Sequence, residues 1–141
     1  MKKQFLFLLL IVATVIFSAV SCSKDSEKVT DPLIGNWKIV TIKTSSGQPT
    51  DVTNKSCFKE SYFQANASTF KFSLSQPQTG TTTCKVQNLE FPWTKKDNVY
   101  YYTVNKEEKK LPIVLSNNNQ TLQFTIVNES SGTMVFTYTK Q

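Results

Sequence analysis

From Gly35 onward, apolar residues recur at every second position in short runs, separated by clusters of Asn, Ser, Thr, Gly and Pro. Period-two alternation marks a strand with one buried face, because successive side chains leave opposite sides of a pleated backbone. Phe70, Phe72 and Leu74 alternate with Lys71 and Ser73, and Leu122, Phe124 and Ile126 alternate with Gln123 and Thr125. Met134, Phe136 and Tyr138 share a third such face. Residues 36–44 predict the first strand. There Trp37 and Ile39 share one face while Val40 and Ile42 take the other, so the phase slips midway. A bulge, or burial on both sides, accounts for such a slip.

The remaining runs fall into place around turn signals. Residues 45–54 contain Gly47 and Pro49 and read as a loop. Residues 60–65 and 69–75 flank Asn66-Ala67-Ser68, a hairpin-length connection. After a loop at 76–83, residues 85–89 read as a short edge strand. Residues 91–95 and 98–105 then meet at Lys96-Asp97-Asn98. Glu107 and Glu108 fall in a charged run with Lys106, Lys109 and Lys110, which reads as a solvated hairpin tip. Residues 111–116 and 121–127 meet at Asn117-Asn118-Asn119, and Ser130-Ser131-Gly132 turns into the last strand at 134–140. Strands at this spacing with no amphipathic helix between them predict an all-β fold, an antiparallel up-and-down β-barrel of about eight strands.

The chain ahead of this pattern has a different character. Met1-Lys2-Lys3 precedes an uncharged apolar run, residues 5–20, that ends in small residues. This order of charged start, apolar centre and small residues is that of a signal peptide, whereas a membrane-spanning helix wants roughly 20 apolar residues. Val20-Ser21-Cys22 resembles the lipobox of bacterial lipoproteins, which implies cleavage before Cys22 and acyl chains such as palmitate on it. Cys22-Ser23-Lys24-Asp25-Ser26-Glu27 resembles the surface-export signal of Bacteroidetes lipoproteins. The resemblance implies an outer-membrane lipoprotein, exposed at the surface and held to the membrane by its N-terminal lipid. Residues 1–21 are then a leader, 22–31 the lipidated Cys and a flexible tether, and 32–141 the barrel domain. The tether has too little apolar content to repay the entropy of ordering.

Composition narrows the chemistry. The formal charge of +6 is carried by Lys alone, since the sequence has neither Arg nor His. That removes the imidazole base, the imidazole metal ligand and the guanidinium fork that grips phosphate or guanine. No Gly-rich phosphate loop or calcium loop occurs. These exclusions predict a protein that is not an enzyme, has no catalytic residues and needs no cofactor or metal. Tyr100, Tyr101 and Tyr102 are consecutive and alternate faces on a strand, so at most two share a stacking platform, and no nucleic-acid partner is expected.

Three Cys occur. With Cys22 assigned to lipid, Cys57 and Cys84 remain as an even pair in an oxidising compartment and predict a disulfide. Metal ligation is the other use of two Cys, but no His or further Cys completes a zinc site.

Leu33-Ile34-Gly35-Asn36-Trp37, a Cys shortly before a Tyr-rich strand, and the closing Phe136-Thr137-Tyr138-Thr139-Lys140 resemble the lipocalin-like lipoproteins of Bacteroidetes. The Gly-x-Trp motif of lipocalin first strands falls on Gly35 and Trp37. Lipocalins pack an Arg from the last strand over that Trp, and Lys140 is the nearest stand-in here. The resemblance implies a barrel whose open end takes a small apolar or amphipathic molecule. Strand alternation nominates Phe70, Phe72, Trp93, Leu122, Phe124, Met134 and Phe136 for the inward face, with Trp37 plugging the closed end and Trp93 at the open one. Most of these residues are large, which equally suits a filled barrel that docks a protein partner in a surface complex. An enclosed cavity of several hundred Å³ would discriminate between the two.

Overall fold

The computed structural model of the chain describes residues 30–128 and 132–141. The leader, Cys22 and the tether up to residue 29 lie outside the described residues. Ten strands form among those described: β1 (Gly35–Thr44), β2 (Thr50–Asp51), β3 (Tyr62–Ala65), β4 (Thr69–Pro77), β5 (Cys84–Lys96), β6 (Val99–Val104), β7 (Glu107–Lys110), β8 (Ile113–Ser116), β9 (Thr121–Asn128) and β10 (Gly132–Lys140). One 3-10 turn, Phe58–Glu60, precedes β3. All pairings are antiparallel, and the path through the sheet is β7-β6-β5-β4-β3-β1-β10-β9-β8, with β2 added to the side of β1. Every step on that path joins chain neighbours except two: β3 reaches β1 across the short β2, and β1 pairs with β10. The sheet therefore curls so that the two ends of the domain meet in its middle.

The turns follow from residues that tolerate a left-handed backbone. Asp97 and Asn98 (φ 48° and 62°) link β5 to β6, and Asn105 and Lys106 (φ 51° and 67°) link β6 to β7. Two successive positive φ values give a turn whose twist matches that of the flanking strands. Asn117, Asn118 and Asn119 all have positive φ between β8 and β9. Between β3 and β4 the Asn66 carboxamide oxygen accepts from the amides of Ser68 at 2.8 Å and Thr69 at 2.7 Å, closing the hairpin locally. The phase slip in β1 is a bulge, with the register against β10 shifting between Ile39 and Thr41.

Two expectations are corrected here. The short edge strand at 85–89 and the strand at 91–95 are one long strand, β5, which pairs with β4 from Cys84 to Pro92. Glu107 to Lys110 are a paired strand, β7, rather than a hairpin tip, with Asn105 and Lys106 making the turn. All four residues of β7 are exposed, as a solvated charged run should be.

β7 and β8 are two parts of one run of chain that changes neighbours. β7 pairs only with β6 and β8 only with β9. Between them, the Leu111 amide donates to the Tyr100 carbonyl on β6 at 2.8 Å, and the Pro112 carbonyl accepts from the Thr125 amide on β9 at 2.9 Å. Pro has no N–H to place in a ladder, so it suits a point where one pairing ends and another begins. These two bonds are the stitch that draws the ends of the sheet together.

The interior is aromatic. Phe72 lies 5.1 Å from Phe124 and 5.7 Å from Phe136, and Phe63 stacks on Phe70 at 5.4 Å, measured between ring centroids. Leu33, Trp37, Ile39, Leu122 and Tyr138 are among the other residues of this core. Offset and edge contacts at these distances suit the ring quadrupoles and add to the burial term. Cys57 and Cys84 form a disulfide that ties the segment before β3 to the start of β5. Nearby, the buried Ser61 hydroxyl accepts from the Ser75 amide at 2.9 Å and donates to the Ser75 carbonyl at 3.3 Å.

Candidate functional site

Above the stitch the two ends of the sheet stay apart. β5 pairs with β6 only through Trp93–Lys96, so its stretch from Cys84 to Pro92 has a ladder partner on the β4 side alone. On β9, Ile126 and Val127 pair with β10 alone. Between these strand edges lies a slot of about 310 Å³. Phe70, Phe72 and Phe124 form its floor, Leu89, Phe91, Tyr102 and Val104 one wall, and Leu111, Pro112 and Thr125 to Val127 the other.

The chemistry of that lining is uniform. It includes no charged side chain, and Tyr102 and Thr125 supply its only side-chain hydroxyls. Phe91 and Tyr102 are 5.4 Å apart and both rest on Phe70, at 5.8 Å and 6.2 Å. The floor is buried, whereas Leu89 and Val127 at the rim are 47% and 75% exposed. Exposed apolar side chains on both lips of an apolar cleft are the arrangement of a site for an apolar occupant. Among other depressions of comparable volume, one carries Lys38, Lys59 and Glu60 on its rim, and an uncharged one beside β2 is lined by polar Thr44, Gln48 and Thr50 as well as Ile42, Val52 and Phe58.

The structure brings three of the nominated residues, Phe70, Phe72 and Phe124, to this slot. Leu122 and Phe136 are buried in the core away from it, and Met134 packs half-buried against that core. Trp93, expected at the open end, sits instead against the β3–β4 turn. Its indole N–H donates to the Asn66 carbonyl at 3.0 Å, and its ring lies 5.6 Å from Tyr100. Trp37 behaves as a plug: it is 1% exposed, and its indole N–H donates to the Leu33 carbonyl at 2.9 Å. Alternation identified inward faces but carried no signal for Leu89, Tyr102 or Val127, whose place in the site depends on where the ladder opens.

A second cluster forms where the chain enters the domain. The Asp31 carboxylate accepts from the Leu33 amide at 2.9 Å, Lys95 Nζ at 2.9 Å and the Tyr100 hydroxyl at 2.8 Å. The Lys95 ammonium also lies 4.9 Å from the centre of the Tyr100 ring. Burial works against the carboxylate, but the bonds from Lys95, Leu33 and Tyr100 together hold its pKa below the ordinary range. The hydrogen bond to Asp31 raises that of Lys95. Burial, then the bond to Asp31, raises that of Tyr100. Asp31, read as the last residue of the tether, is thus bonded to Leu33, Lys95 and Tyr100 as a clamp. Every donor of the cluster is bonded to the carboxylate or the ring beside it, an arrangement that holds structure in place.

Among the described residues no group of three His, Cys, Asp or Glu gathers as a metal-ligand set. No described helix is long and apolar enough to cross a membrane. Among curated proteins, none matches this sequence. A solved structure of a redesigned β barrel aligns with 78% of this chain and 92% of its own, at 13% identity and a TM-score of 0.45. The profile of the lipocalin-like domain matches residues 33–136, which run from the segment before β1 into β10. That match covers most of the chain and the whole path of the sheet, so the chain belongs to the lipocalin-like domain family.

Proposed function

We propose that the protein is a lipoprotein of the bacterial outer membrane, anchored through Cys22, whose lipocalin-like barrel binds a small apolar or amphipathic molecule in the slot between β5 and β9. One observation carries the binding reading: a cleft of about 310 Å³ without a charged side chain in its lining, open at Leu89 and Val127. Removing apolar ligand surface from water at about 25 cal/mol per Å² supplies the driving force, and no ion pair is needed. The anchoring reading rests on the leader and on Val20-Ser21-Cys22.

The test is uptake of the uncharged dye phenylnaphthylamine, followed by fluorescence, with Val127→Asp as the variant. Val127 is exposed, so the substitution should change stability by no more than about 0.5 kcal/mol. A carboxylate on the lip should nonetheless abolish saturable uptake. Equal uptake by the variant, or no saturable uptake by the wild type, would sink the binding reading.

The second reading is an interaction module that docks a protein in a surface complex. It is favoured by the β5 edge from Cys84 to Pro92, which has no second ladder partner among the described residues and could accept an added strand. Co-purification of a stoichiometric protein partner, lost when Val86 or Asn88 is replaced by Pro, would favour it.

A further inference from the structure

The hydroxyl of Tyr138 is out of place in an otherwise satisfied interior. Tyr138 is 0% exposed, and among the described residues its oxygen is the one buried side-chain oxygen or nitrogen without a hydrogen-bond partner. Its cross-strand neighbours are Ile39 and Leu122, both fully buried and apolar. The buried Ser61 hydroxyl does not share this state: it donates to the Ser75 carbonyl at 3.3 Å and accepts from the Ser75 amide at 2.9 Å. An unpartnered buried hydroxyl is costly, and a Phe of nearly the same shape would avoid the cost. Burial also drives the phenol pKa far upward, so the group stays protonated and able to donate.

The position of Tyr138 relates it to the slot. Its ring lies 6.2 Å from Phe63, and Phe63 lies 6.2 Å from Phe124 and 5.4 Å from Phe70. Phe124 and Phe70 are slot floor. Tyr138 is thus one aromatic layer beneath that floor. Neither the slot lining nor the buried core contains a Lys, and the chain has no Arg or His. A ligand carboxylate drawn inward would therefore lose its hydration without meeting a cation.

We infer that Tyr138 is the polar end of the binding site, reached when the Phe124 and Phe70 rings and the Phe63 ring beneath them part, and that the preferred ligand is a long-chain amphiphile with an uncharged hydrogen-bonding head, such as an alcohol or a ketone. The inference rests on the slot being a ligand site and adds the identity of the head group and the residue that reads it. The phenol donates to the head oxygen while the hydrocarbon tail lies along Leu89, Phe91 and Ile126.

The experiment compares dodecanol, dodecane and dodecanoate at neutral pH on the full chain, by displacement of phenylnaphthylamine, for wild type and Tyr138→Phe. Wild type should bind dodecanol about two- to tenfold more tightly than dodecane, the range of one net hydrogen bond, and dodecanoate weakest of the three. Tyr138→Phe should erase the alcohol preference, leave dodecane affinity unchanged and melt no lower than wild type. An alcohol preference that survives in Tyr138→Phe, or a carboxylate that binds best, overturns the role of Tyr138 while leaving the slot a ligand site. A clear loss of stability in Tyr138→Phe would show the hydroxyl bonded within the protein and overturns it as well. Failure of the wild type to displace dye with any of the three overturns both readings together.

Discussion

The ammonium of Lys140 lies 5.1 Å from the centre of the Trp37 ring and donates to the Pro32 carbonyl at 2.9 Å. Trp37 and Lys140 are also register partners in the β1–β10 ladder. A cation laid over an indole gains from the ring quadrupole, and a lysine stem covers apolar surface that would otherwise be wet. The last strand thus closes over the first-strand tryptophan with an ammonium where lipocalins use a guanidinium. Gly35 belongs to the same arrangement: its φ is +144°, and a Cβ there would lie 2.9 Å from Lys140 Cε.

Lys140→Ala should lower stability by about 1–2 kcal/mol, the sum of a cation–π contact and a charged hydrogen bond discounted for partial exposure. Lys140→Met should recover part of that through its stem. Gly35→Ala should cost at least as much, and the Lys140→Ala background should relieve its contact but not its backbone strain. Urea titration of the four variants decides; Lys140→Ala and Lys140→Met of wild-type stability would refute the role of this lysine.

The Asp31 cluster sets a pH signature. The folded Asp31 pKa lies below its ordinary 3.8, so its contribution is fully present above that value and is lost as pH falls through the folded pKa. Lys95 and Tyr100 are raised above 10.5 and 10.0, so theirs is present below those values and is lost as pH rises through the folded ones. Asp31→Asn should cost about 1–2 kcal/mol at neutral pH and flatten the acid limb of stability against pH. An acid limb identical in wild type and variant would be the contrary result.

Reduction of the Cys57–Cys84 bridge, which spans 27 positions, should cost about 2–5 kcal/mol. Intact mass should rise by about 2 Da on reduction, the two hydrogens gained when one disulfide opens. Two alkylatable thiols in unreduced protein would contradict the bridge.

Cys22→Ala should lose metabolic fatty-acid label that the wild type incorporates, and should leave the membrane fraction. One short acyl chain binds reversibly and several hold durably, so the fractionation reports on the number as well as the presence of chains. Equal label on both proteins would end the lipoprotein reading.

Most of the strands were legible because alternation and burial share one cause, and β9 shows it plainly, whereas β4 buries Ser73 and Ser75 as well as Phe72 and Leu74. Where the sequence misled, a local rule was overridden. Residues 85–89 and 91–95 read as two strands, yet Glu90 sits opposite Lys71 and the β4–β5 ladder runs unbroken to Pro92, in a strand that goes on to Lys96. Glu107 to Lys110 carry no alternation because β7 buries neither face. Asp31 looked like linker because its partners Lys95 and Tyr100 lie 64 and 69 positions away. The slot was the least legible part. Periodicity says which side chains face inward, as it did for Phe70, Phe72 and Phe124, but not where two strands fail to pair.

The pairing of β1 with β10 has a consequence for the order of events in making the protein. As the chain folds, β3 to β7 can form hairpins with strands close by, but one edge of β1 waits for the nine-residue β10. Until then Trp37 has no lid, and the half-built sheet exposes the aromatic side chains it will later enclose. Contacts between such distant segments slow folding, because the loop-closure entropy is spent before the contact forms. Closing the sheet is consequently a late event in folding, because the two strands that meet in its middle lie at opposite ends of the domain.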